Sequence, residues 1–136
     1  MAGKVDTIAE EFGIRFIPSA GRIEGRHQSK ARRTCQKLLK NHGPEHLRLV
    51  LGLMNSKKNR GNWTAPAISA VSWLVLNKPT IKERRDFLDL FDRLNLAELL
   101  RNAKQVNPTA PTATMRVVLT YELERMIMEQ KKEKAA

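Results

Sequence analysis

The chain has one cysteine, Cys35, so it can build no disulfide framework of its own. That usage suits a reducing compartment, and a cytoplasmic protein is expected. No long apolar run follows the first lysine, so no signal peptide is expected either. The longest nearly uncharged stretch, Gly61 to Asn77, is broken by Asn62, Thr64, Pro66, Ser69 and Ser72. It is too short and too polar to cross a bilayer. There is no internal repeat, no low-complexity block, no glycine-rich phosphate loop and no serine elbow. Acid is also scarce, with 14 Asp and Glu against 25 Lys and Arg.

At 136 residues, 41% of them hydrophobic, the chain is long enough to bury one real core without cross-links. Its net charge of +11 is unevenly placed. Residues 1–62 hold thirteen Lys and Arg against five Asp and Glu, a net +8. The next 45 residues hold seven against five, and the last 29 hold five against four. A cationic excess gathered in one half is the footprint of a surface that meets a polyanion.

Apolar residues recur mostly at spacings of three and four, and turn residues separate six candidate helices. Ser29 can cap a helix from Lys30 to about Asn41, with Gly43 as its stop and Pro44 in the first turn of the next, which runs to Met54. Thr64 can cap a third, Ala65 to Leu76, and Thr80 a fourth, Ile81 to Leu94. Asn95 caps a short fifth through Lys104, and a sixth runs from about Thr112 to Gln130. The third helix is apolar nearly all round and is expected at the centre. Before Ser29 the signals are weaker: a short helix from Asp6 or Thr7 to Phe12, then turn residues and charge. The expected fold is all-α, an irregular bundle of about five to six helices. Residues 1–28 are read as a partly irregular basic arm and 29–136 as one helical domain. Met1 to about Glu11 and Lys131 to Ala136 are expected to be the most mobile parts.

At about 100° per residue, Lys30, Arg33, Lys37 and Lys40 share one sector of their helix, almost opposite Ala31, Cys35, Leu38 and Leu39. Like charges three and four residues apart cost roughly a few tenths of a kcal/mol each. No acid intervenes from Arg26 to Asn41, so an outside anion is the natural neutraliser. Arg22, Arg26 and Arg32 lead into this stripe, and a basic arm before a basic helix adds backbone phosphate contacts. The loop from Ser56 to Trp63 adds Lys57, Lys58 and Arg60 beside the Trp63 indole, a combination that can grip phosphate while stacking on a base.

Signals for chemistry are poor. His42 and His46 are four apart, but Gly43 and Pro44 break any helix between them, so they form no metal-binding helix face. Cys35 lies on an apolar sector, and the acids Glu83, Asp86, Asp89 and Asp92 alternate with arginines as on a solvated face. No enzyme activity, cofactor or metal is expected. The last helix has two apolar faces: Met115, Leu119, Leu123 and Met126 on one, Val117, Tyr121 and Met128 on another. The second face suits a partner chain or a second copy, as in a homodimer through the C-terminal helix, or else a helix gripped on two sides by its own domain.

The run from Gly21 to Pro79 pairs a GRHQ arm with an HLRLVL helix and an aromatic-capped AISAVSWLVL helix. In this it resembles small proteins carried on bacterial prophages, plasmids and integrative elements, and the likeness extends to Phe91–Leu96. The resemblance implies a mobile-element setting, in which small basic helical proteins serve as regulators or host-interaction factors. No helix-turn-helix signature accompanies it. The expected function is nucleic-acid binding, DNA ahead of RNA, by a small transcription regulator. The alternative is an adaptor or inhibitor that binds a host protein through its basic face or its C-terminal helix.

Overall fold

A computed structural model describes residues 4–15, 23–60, 63–77 and 84–135, with side chains at 4–15, 30–60, 63–77 and 89–133. The described residues form seven helices and no strand: α1 (Lys4–Glu10), α2 (Ile23–His42), α3 (Pro44–Met54), α4 (Ala65–Asn77), α5 (Arg84–Arg93), α6 (Leu96–Val106) and α7 (Pro111–Ala135). The protein is all-α, as its periodicity indicates. No described helix is long and apolar enough to cross a membrane.

The core is organised around α4, which carries no charged residue and packs on α2, α3, α6 and α7. Ala67, Ile68, Ala70, Val71, Ser72 and Leu74 are buried in it. It is not apolar and buried all round, however. Trp73 is half-buried and Leu76 is 45% exposed, because the surrounding helices leave one side of α4 partly open, and Val75 is half-buried near the C-terminal end of the helix. Each neighbour turns its own apolar stripe inward: Ala31 and Cys35 from α2, Leu47, Val50, Leu51, Leu53 and Met54 from α3, Leu90 and Phe91 from α5, Leu96, Leu99, Leu100 and Ala103 from α6, and Met115, Leu119 and Leu123 from α7. Met126 of α7 is half-buried at the edge of that stripe.

Local chemistry sets several boundaries where the sequence put them. Gly43 takes φ +89°, a left-handed conformation that a side chain would strain, and its N–H donates to the Leu39 carbonyl at 3.0 Å. That turn lets α2 stop and α3 begin at Pro44 within one residue. Asn95 caps α6 by accepting from the Glu98 N–H at 3.1 Å. Thr64 behaves differently from a standard cap. Its carbonyl accepts from Ile68 N–H, but its hydroxyl is buried without a hydrogen-bond partner.

The N-terminal third departs most from expectation. The short helix expected from Asp6 or Thr7 to Phe12 runs instead over Lys4–Glu10, and Val5, Ile8 and Ala9 bury its apolar face in the core. Gly13, at φ +72°, closes the following turn and delivers Ile14 to the core, while Phe12 packs over Gly52 of α3. Two bidentate pairs clasp this segment: Arg32 of α2 to Asp6 at 2.9 and 2.8 Å, and Arg48 of α3 to Glu11 at 3.0 and 3.2 Å. Helix α2 also starts early, at Ile23, so Ser29 lies inside it instead of capping it. The Thr80 cap, residues 81–83 and the side chains of Phe87 and Leu88 lie outside the described residues.

Leu74 is 1% exposed on the helix that α2, α3, α6 and α7 surround. Leu74→Ala is expected to cost about 2–5 kcal/mol in urea unfolding, as truncation of a buried leucine does. A loss under about 0.5 kcal/mol would mark an exposed position and would break this architecture.

Candidate nucleic-acid interface

Helix α2 stays helical despite its crowded charges because one side is committed to the core. Ala31 and Cys35 are buried against its neighbours, and Leu38 and Leu39 are half-buried. The opposite side then points outward by geometry alone. Lys30, Arg33, Lys37 and Lys40 are all exposed, and among the described residues none of them forms an ion pair. From Lys30 to Lys40 the stripe runs about 15 Å along the helix, at roughly 1.5 Å per residue. Lys40 also falls in the last turn, where the carbonyl end of the helix favours a cation.

Arg32 stands apart from this stripe. Hydrogen bonding to Asp6 holds its guanidinium and raises its pKa further, so it is a fixed, locally neutralised cation that clasps α1. Arg22 lies outside the described residues. Arg26 belongs to the backbone of α2, and its side chain lies outside them.

The second basic group sits in the α3–α4 loop, which is pinned rather than loose. Asn59 is fully buried, and its Nδ2 donates to the Phe91 carbonyl at 3.0 Å and to Ser56 Oγ at 3.2 Å. Its Oδ1 accepts the Leu96 N–H at 3.0 Å. One amide therefore ties this loop to the junction of α5 and α6. Around it Lys57, Lys58 and Arg60 are exposed, and Lys58 Nζ donates to the Arg93 carbonyl at 3.2 Å. Trp63 does not stand free beside them. It is half-buried and packs on the core, which limits the face it can offer to a base. The two basic groups thus belong to different parts of the fold: α2 packs on α1, α3 and α4, while the loop is held at α5 and α6.

Beyond the loop, Lys58, Arg93, Glu98, Arg125, Glu129 and Glu133 border a cleft of about 430 Å³ against α7. Its charges are mixed in sign. Arg125 alone pairs with Glu122 at 2.9 Å and Glu129 at 2.6 Å. No cluster of three metal-ligating side chains occurs among the described residues. Cys35 is fully buried, and desolvation pushes its thiol up to about 12, so no reactive thiolate forms near neutral pH.

His42 and His46 do meet, across the Gly43 turn, with ring centroids 4.9 Å apart. His46 Nε2 lies 2.8 Å from Ser72 Oγ, a buried hydroxyl of α4. Sequence spacing suggested only that these histidines form no metal face on one helix. The hydrogen bond from α3 into the central helix arises from packing between segments 26 residues apart.

Val117, Tyr121 and Met128 are exposed on α7, as their sector indicates. Sequence reasoning missed Trp73 and Arg116, which border a groove beside Val117 and Tyr121. Trp73 carried no signal for this role because it sits in a run of apolar residues read as core. No family model, curated protein or solved structure matches this chain.

Two outcomes follow from the buried polar groups. Asn59→Ala leaves the buried Leu96 N–H without an acceptor and is expected to cost about 1–3 kcal/mol in urea unfolding. An unchanged unfolding midpoint would show that the clasp is dispensable.

For His46, burial and then the neighbouring His42 lower the pKa below the ordinary histidine value of about 6.5. Below about 6.5 the unfolded chain therefore takes up a proton that the folded ring resists, so stability falls as pH drops until the folded ring protonates too. Above about 6.5 this contribution is constant. Unfolding free energies at pH 7.5, 6.5 and 5.5 should fall more steeply for the parent than for His46→Gln. Parallel profiles would remove His46 as the source.

Proposed function

We propose that this protein binds the phosphate backbone of a nucleic-acid duplex through the outward face of α2. The observation that carries this reading is the set of four exposed cations, Lys30, Arg33, Lys37 and Lys40, unpaired among the described residues along one face of a rigid helix. Their mutual repulsion is relieved when each meets a phosphate, and every contact releases condensed counterions. A duplex suits this face better than a single strand. Single-strand binding rests on aromatic platforms, and Trp63 and Trp73 both give up part of their surface to the core.

The loop cations Lys57, Lys58 and Arg60 extend the positive field and aid encounter, with DNA placed ahead of RNA as the partner. Contacts of this kind position a protein on a duplex without reading its sequence. The role is therefore that of a backbone-binding accessory or regulator in the cytoplasm, in keeping with a mobile-element setting.

Four duplex contacts predict a slope of roughly −3.6 for log K against log salt, measured by anisotropy with a labelled duplex. Replacing Arg33 and Lys37 together with alanine should flatten that slope by nearly two units and leave folding intact, since both side chains are exposed. Arg32→Ala, in contrast, should leave the slope unchanged while loosening α1. If the double variant keeps the parent's slope, the stripe makes no phosphate contacts. If the parent binds neither duplex nor single strand at moderate salt, the basic face serves an acidic protein surface instead.

A further inference from the structure

The chain has three histidines, and folding brings two of them together. His42 is exposed in the last turn of α2, and His46 is half-buried in the first turn of α3. Gly43 alone separates the two helices. Its φ of +89° makes the bend across which the rings meet, with centroids 4.9 Å apart and planes tilted by 59°. Two imidazoles bound side by side to one metal ion, each nitrogen about 2.0–2.1 Å from it, hold their ring centres roughly 4.5–5.2 Å apart. The separation in this fold lies inside that span. An ion can therefore be taken up by turning the rings, with the backbone left where it is.

The second ring is also held from behind. His46 Nε2 lies 2.8 Å from Oγ of Ser72, a buried hydroxyl of the central helix. When Nε2 carries the ring proton and donates it to that oxygen, the lone pair is fixed on Nδ1. Outer partners of this kind prepare a histidine ligand by choosing its tautomer and locking its ring. His42 lies in solvent and can turn either nitrogen to the same ion. No third His, Cys, Asp or Glu joins the pair among the described residues.

We propose that His42 and His46 form a binding site for a divalent transition-metal ion of the nickel, copper and zinc class. Two imidazole nitrogens hold the ion, and water completes its shell. Imidazole suits these ions, whereas magnesium and calcium take oxygen donors. Two protein ligands fall short of the four in a structural zinc centre, so the fold does not depend on the ion. Lys40, in the same turn as His42, and the net charge of +11 weaken the hold. They leave the selection unchanged, because each ligand bond is a donated lone pair. This inference is independent of what α2 binds.

Titration calorimetry of the full-length, tag-free chain with nickel chloride tests it, at about pH 7.5 where neutral imidazole is available to the metal. One equivalent of nickel should bind, copper(II) should bind more tightly, and magnesium should not bind. The paramagnetic nickel ion should broaden the NMR ring signals of His42 and His46 and spare those of His27. His42→Ala changes an exposed side chain and should weaken nickel binding at least tenfold, with a thermal melt in EDTA that matches the parent's. His46→Gln should weaken it at least as much, and His27→Ala should change nothing. Nickel held equally well by the His42→Ala chain would overturn the proposal. So would broadening confined to His27, magnesium binding as tightly as nickel, or a parent that takes up no nickel at about 1 mM.

Discussion

Everything in this fold answers to α4, thirteen residues without a single charge. A helix with no polar stripe cannot lie on a surface without leaving apolar area in water, so other helices must surround it. Four of them do, and each can satisfy α4 only by turning its own apolar stripe inward. The orientation of the charges follows. Because Ala31 and Cys35 of α2 are drawn into the core, Lys30, Arg33, Lys37 and Lys40 are driven out together on the far side. The basic face is thus a consequence of how the core is filled.

The enclosure of α4 is incomplete, and that incompleteness creates the second surface. Trp73 and Leu76 stay partly in solvent beside an α7 whose buried side is already occupied by Met115, Leu119 and Leu123. Trp73 there borders a groove whose other walls include Ala113, Val117 and Tyr121 of α7. The two surfaces are separate in residues and in chemistry, so each can fail without the other.

Cations in this chain divide by what the fold has done with them. Arg32, Arg48 and Arg125 hold carboxylates in fork-like or paired geometry and serve to clasp α1 and to brace α7. The lysines and Arg33 of the α2 stripe hold none among the described residues. Counting positive charges along the sequence therefore overstates the binding face, since it ranks Arg32 with Arg33. Only the partner distinguishes them, and Asp6 lies 26 residues away.

The sequence by itself determined the all-helical class, the positions of Gly43, Pro44 and Asn95 at helix ends, and the opposed apolar and basic sectors of α2. It also determined the exposed seam of α7. All of these rest on local rules: period, capping chemistry and backbone freedom act within a turn or two of the residue concerned. What tertiary structure decided are the contacts between distant segments. The docking of α1 through Val5 and Ile8, the clasp of Asn59 on the α5–α6 junction and the bond from His46 to Ser72 each join residues that no periodicity relates. So does the groove that sets Trp73 beside Tyr121. Such pairings depend on which helix faces which across the core, and packing chooses that only when the whole chain closes around α4.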